Sequence, residues 1–434
     1  MTHTAWGLLG PEMLASERRT RTLDLGATVR SFNDLAVPGL GGVWFCKQLF
    51  LATLGVAVAE GVRNARKRAQ NIEVANAVEA LACWLALNER GWKPDRRLRG
   101  ATKMRSKNDL TFAAMRKPSF YVTQPMRQAT VQPLRSLGFV ESIGERFNAY
   151  RCTQLGHEFI EGACDESTRD KSSVLARLIG WGCGDDRNVN TAKMRQALSP
   201  LQPMPGLGRN FLLEQLVKGT GEEALRRRKA LEWVQGLRNK PRQQMTWDTK
   251  PKMLEDSHWR DLRAGALFFT ARDAAISLLD TIETHIAPQK HQRLPLDSKF
   301  PKSVSDKIQS LRESAQAFCD NDHDPSPGAR TFCRECIEPS EARLLEKLLG
   351  REGRVLCLRD RAIVPGVAFR GTLDSRPATA RSAEEDGAES EIEQVVPLPE
   401  GISHRVRNLF FLNLDLCGTL DDRLSTSPDN NGGA

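Results

Sequence analysis

The sequence predicts a mainly α-helical, multi-domain protein whose only strands are small β hairpins. Its 434 residues exceed what one ordinary hydrophobic core organises, so roughly two to four domains are expected. Apolar residues recur at helical spacing through residues 43–63, 72–88, 212–233 and 259–286. Polar stretches punctuated by Gly and Pro separate these blocks. With 40% hydrophobic and 27% charged residues, the composition is that of a globular protein and excludes wholesale disorder.

The first block is the most apolar, yet Lys47 and Gln48 interrupt it. Only about eleven uncharged residues follow them, against the roughly twenty that span a bilayer, so a core helix is expected and no membrane partner. The second block carries Val74, Ala77, Val78, Leu81 and Leu85 before Gly91 and Pro94 stop it, and is expected to pack on the first. The start of the chain lacks the basic head, apolar run and cleavage site of a secretory signal, which predicts a mature chain beginning near Met1. Of the 10 cysteines, most stand alone in apolar segments (Cys46, Cys83, Cys152, Cys417). They are expected as small buried hydrophobes in a reducing, cytoplasmic setting.

The net charge of +9 favours a polyanionic partner, and it is regional. Residues 90–107 hold eight Lys or Arg against the single acid Asp95, in a stretch without apolar periodicity. An exposed basic arm carrying Arg96, Arg97, Arg99, Lys103, Arg105 and Lys107 is expected. Extended to Arg151 the count is fourteen basic against four acidic residues, so the rest of the chain is close to neutral.

The most informative segment follows the arm. Thr123 is placed to cap a helix with Pro125 in its first turn, where a missing N–H costs nothing. That helix turns Val131, Leu134 and Leu137 inward and ends at Gly138, a natural residue for the position after a helix. Phe139-Val140 and residues 147–152 are two strand candidates around a polar turn, and Thr153 caps a closing helix bearing Leu155, Phe159 and Ile160. The order of helix, Leu-Gly, strand, turn, strand and Thr-capped helix over about fifty residues resembles the winged-helix DNA-binding superfamily. The resemblance implies that Gln124, Arg127, Gln128, Thr130 and Arg135 face DNA and that Arg146 and Arg151 are wing contacts. Pro133 departs from the pattern, because inside a helix it removes a hydrogen bond at a cost of about 3 kcal/mol. The competing expectation is a module that packs against protein.

Further along, Arg226-Arg-Arg-Lys229 with Arg238, Lys240 and Arg242 could extend the basic track, but on a helix Arg226 to Lys229 wrap around the axis beside Glu222 and Glu223, so a solvated face is expected. Cys319, His323, Cys333 and Cys336 follow Cys-x3-His-x9-Cys-x2-Cys in a polar stretch, a spacing that can close a tetrahedron around structural zinc. Scattered free thiols are the alternative. Residues 354–370 hold two short β runs about an Arg359-Asp360-Arg361 turn, and residues 409–416 fit helix or strand. No phosphate loop, His-Glu-x-x-His or Gly-x-Ser-x-Gly motif occurs; Gly206-Leu-Gly208 and Gly219-Thr-Gly221 lack the lysine and preceding strand. His157 and His258 are expected to be structural. Asp415, Asp421 and Asp422 are expected at a solvated helix end.

The expected organisation is an N-terminal helical region with the basic arm (1–107), a winged-helix module (108–165), a helical middle domain (166–300), a zinc-knuckle-like α+β region (301–371), an acidic flexible linker (372–400) and a C-terminal segment with a disordered tail (401–434). The expected function is that of a non-enzymatic subunit holding duplex DNA within a bacterial multi-protein complex. A DNA module beside a zinc knuckle, without an enzyme motif, suggests phage defence or a mobile element. The alternatives are an adaptor whose winged helix contacts other subunits, and a divergent metal-dependent nuclease with dispersed carboxylates. No small-molecule substrate is evident.

Overall fold

The computed structural model describes residues 21–144, 146–164, 173–185, 188–238, 245–369 and 396–425. Over these residues the protein is mainly helical, with a two-stranded and a three-stranded antiparallel sheet. The start of the chain, nearly all of the expected acidic linker and tail, and Lys240 and Arg242 lie outside the described residues. Contacts group the chain into two compact units, Val29–Phe269 with Asp386–Ala434, and Met1–Thr28 with Thr270–Glu385.

In the larger unit, α1 (Gly26–Ala36) leads to α2 (Cys46–Asn64) and α3 (Asn71–Glu89). Every residue of α2 from Cys46 to Ala59 is buried, including Lys47, Gln48 and Thr53. A helix apolar on all sides belongs in an interior, and this pair is the centre of the unit. Gln48 sets where α2 begins, since its Oε1 accepts from the N–H groups of Trp44 (2.8 Å) and Phe45 (3.2 Å). Gly55 sets how closely the helices cross: a Cβ there would lie 2.6 Å from Ala75 Cα, a distance only glycine avoids.

The helices that follow are α4 (Ala101–Met104), α5 (Phe112–Met115), α6 (Val131–Ser136), α7 (Gln154–Cys164), α8 (Val174–Cys183), α9 (Ala192–Leu198), α10 (Gly206–Val217) and α11 (Glu222–Leu237). The block expected at 212–233 is thus two helices, broken at Gly219, whose φ is +106°. Phe139, Phe159 and Phe211 stack with ring centroids 4.5 to 6.4 Å apart and tie α7 to α10. Helix α12 (Asp256–Ile286) runs 31 residues and supplies residues to both units.

The smaller unit holds α13 (Lys302–Cys319), α14 (Pro327–Cys336), α15 (Glu341–Glu352), and strands at Leu294–Pro295, Leu356–Arg359 and Ala362–Pro365. The last two form the expected hairpin, with Leu358 opposite Ile363. Its turn residues Asp360 and Arg361 have φ of +46° and +54°, the left-handed pair that matches strand twist in a two-residue loop. Inside this unit the Arg21 guanidinium meets Asp280 at 3.1 Å, Glu283 at 2.6 Å and Glu352 at 3.5 Å. The chain closes in the larger unit with α16 (His404–Leu416) and α17 (Leu420–Ser425). No helix among the described residues is long and apolar enough to cross a membrane.

Candidate nucleic-acid interface

The segment from Thr123 to Cys164 folds in the expected order but with shorter pieces. In place of one helix up to Gly138, a 3-10 turn at Met126–Thr130 precedes α6. Pro133 explains the split. As the third residue of α6 it falls in the first turn, where the backbone N–H has no partner within a helix, so its missing donor costs nothing. Leu134 and Leu137 are buried as expected, and Gly138 takes a φ of +77°. Strand β1 (Val140–Glu141) pairs antiparallel with β2 (Arg151–Cys152), Val140 opposite Cys152 and Glu141 opposite Arg151. The second strand is shorter than expected because Phe147–Ala149 is a 3-10 turn. Asn71 Nδ2 donates to the carbonyls of Phe147 (3.0 Å) and Tyr150 (2.7 Å), so those groups are satisfied without a ladder. Thr153 caps α7, its Oγ1 accepting from Gly156 N at 3.0 Å and donating to Gly138 O at 2.7 Å.

A carboxylate that no motif announced holds this segment to α3. Glu79 is buried, and its oxygens accept from the Tyr121 hydroxyl (2.8 Å) and from the N–H groups of Met126 (2.7 Å) and Arg127 (2.9 Å). It therefore caps the 3-10 turn from another helix. Burial pushes its pKa up against the pull of these donors. The sequence signal was a lone acid inside the Val74–Leu87 apolar run.

The expected contact residues divide sharply. Arg127 is buried: its Nε donates to Asn76 Oδ1 at 2.8 Å and its guanidinium lies 4.9 Å from the Phe147 ring centre. Thr130 is buried too, with its hydroxyl on Arg127 O. Arg97 is buried, meeting Asp95 at 3.2 Å and Asp421 at 2.7 Å. Acceptors within the chain occupy these three, so the expectation that they face DNA is corrected. Lys107 donates to the carbonyls of Ser119 and Phe120. Arg99, Gln124 and Gln128 are half-buried. The exposed members are Arg96, Lys103, Arg105, Arg135, Arg146 and Arg151. None of these six makes an ion pair or a side-chain hydrogen bond among the described residues. At the hairpin tip between β1 and β2, Ile143 is fully exposed.

The 226–229 run is divided between interior and surface, with Arg228 exposed. Arg226 meets Asp261 at 2.5 Å, Arg227 is buried with its Nε on Leu216 O, and Lys229 pairs with Glu232. The late acids are held likewise: Asp415 Oδ2 accepts from Cys46 N at 2.7 Å, and Asp421 is the partner of Arg97. His258 is buried against Ala36 O, and burial lowers its pKa.

The cysteine cluster is more helical than its spacing suggested. Cys319 ends α13, while Cys333 and Cys336 lie within α14, both fully buried. Burial raises the pKa of all three thiols. Among the described residues no group of three or more His, Cys, Asp or Glu side chains is placed to hold a metal ion.

No protein-family model, curated protein or solved structure matches this chain, so the functional reading rests on its own residues.

Proposed function

We propose that the protein is a non-enzymatic DNA-binding subunit of a multi-protein complex, holding duplex DNA through a winged-helix-like module and the adjoining arm. One observation carries the reading: Arg96, Lys103, Arg105, Arg135, Arg146 and Arg151 stand exposed without a partner among the described residues, while most other cations of the same stretch are spent internally. Unpaired surface cations are free to displace counterions from phosphate. Because α6 is only 6 residues long, the module grips backbone and does not read base edges. Titration of duplex DNA at about 50 and 200 mM salt tests this. If all these cations meet phosphate, affinity falls roughly a thousandfold across that range, and a flat or absent response removes the proposal.

Ile143 favours a second reading, an adaptor that seats the hairpin tip in another subunit. A fully exposed isoleucine at the end of a turn is the kind of apolar anchor that a protein pocket accepts. Ile143→Asp would then abolish subunit capture while leaving DNA affinity unchanged.

A further inference from the structure

The same unit contains a cavity of about 770 Å³ that none of the outward cations enters, lined by Lys47, Lys193, Gln196, Gln202, Gly206 and Arg209 among others. Its volume lies in the range of small-molecule sites. Three independent features of its wall call for an anion.

The first is Lys47, which α2 carries into the interior at 2% exposure. Its Nζ donates to Ala197 O at 2.5 Å and lies 4.7 Å from the Phe50 ring centre. No carboxylate comes within ion-pair distance among the described residues. An ammonium has three donors, and only one is spent. Burying such a group is costly without a counter-charge, and burial draws its pKa down from 10.5 to about 8.

The second is Arg209, whose Nε is buried and has no hydrogen-bond partner among the described residues, and whose Nη1 reaches Leu416 O only at 3.4 Å. The third is the start of α10. Pro205 precedes it and offers no side-chain cap. The N–H groups of Gly206, Leu207 and Gly208 meet no acceptor among the described residues. A Cβ at Gly206 would meet nothing within 4 Å, whereas one at Gly208 would strike Ala163 at 2.7 Å. Glycine thus lets α10 pack on α7 and leaves its open amide end unobstructed. A bare helix start beside cations is a phosphate-binding arrangement.

We infer that this cavity is a binding site for a small phosphate-bearing ligand, its phosphoryl oxygens taken by the α10 amide end, the Lys47 ammonium and the Arg209 guanidinium. The inference is independent of the DNA reading, because no residue is shared. The test is the thermal midpoint of the full chain in inorganic phosphate against chloride at matched ionic strength, for wild type, Lys47→Met and Arg209→Gln. The expected result is a saturable, phosphate-specific rise in wild type. It should require at least tenfold more phosphate in either variant, with both variants melting cooperatively. No phosphate-specific rise in wild type, or an undiminished rise in both variants, overturns the inference. Should Lys47→Met fail to fold, Arg209→Gln alone decides, since that side chain is only half-buried.

Discussion

Arg127 and Arg151 belong to one short module and are chemically identical, yet they do opposite work. Arg127 is folded under the module, its guanidinium on Asn76 and the Phe147 ring. Arg151 stands in the short hairpin strand with its charge in solvent. The lesson is that a basic stretch overstates a basic surface. Of the cations between Arg90 and Arg151, some stabilise the fold and only the remainder contribute a field. What separates them is whether an acceptor reaches them first. It comes from nearby for Arg97 on Asp95 and for Lys107 on the Ser119 and Phe120 carbonyls, and from α3 or the C-terminal helix for Arg127 on Asn76 and Arg97 on Asp421.

The largest expected effect comes from breaking the buried side of this comparison. Glu79→Ala leaves the Tyr121 hydroxyl and the Met126 and Arg127 amides unsatisfied, and should cost about 3–5 kcal/mol in urea unfolding. A loss below about 1 kcal/mol would mean that water replaces the carboxylate and that the module is not latched to α3. Arg127→Met keeps volume but abandons Asn76 and the ring, and should cost about 2 kcal/mol with little change in DNA affinity.

Lys47→Met carries the opposite sign, a gain of about 2 kcal/mol at pH 7, because it removes a buried charge. The attraction of Asp415, Cys46 and Cys164 does not offset its burial. The folded pKa near 8 lies below the unfolded value of 10.5, so the unfolded chain binds more protons between them. Lys47 therefore contributes a rise of stability with pH across that window. The buried thiols Cys46, Cys83, Cys152, Cys333 and Cys336, held protonated above their ordinary 9.0, contribute a fall. The Lys47 part is the excess of the wild-type slope over that of the variant. Equal slopes in the two proteins would contradict the assignment to Lys47.

A smaller effect, about 1 kcal/mol, is expected for Cys333→Ser, which places a hydroxyl in the apolar α14 packing. Zinc measured on the same two proteins sharpens the point. Stoichiometric zinc in wild type that disappears in the variant would support the four-ligand knuckle, and wild type without zinc would favour free thiols.

Much of the helical framework was legible, because α2, α3 and α12 bury long apolar faces whose spacing survives any partner. The hairpin at Leu356–Pro365 was legible from its turn. What escaped was set by partners distant in sequence. The Leu294–Pro295 strand is too short to show a period and exists only because Ala362 and Ile363 pair with it. The 3-10 turn at Phe147 depends on Asn71. The exposed arm expected at 90–107 instead buries Leu98 and Met104. For the candidate site, sequence supplied the cations but not their sorting, and it passed over Lys47 as a mere interruption of an apolar run. A single charge inside an otherwise apolar helix was the available signal, for Lys47 as for Glu79.

The most direct test replaces Arg96, Lys103, Arg105, Arg135, Arg146 and Arg151 together with Gln and compares the salt dependence of duplex DNA binding with that of wild type. Exposed substitutions of this kind change stability by no more than about 0.5 kcal/mol each, so the variant should stay folded. The account predicts that the steep fall of affinity with salt flattens towards zero. An unchanged slope in the folded variant would contradict it, and would place any grip on DNA elsewhere on the molecule.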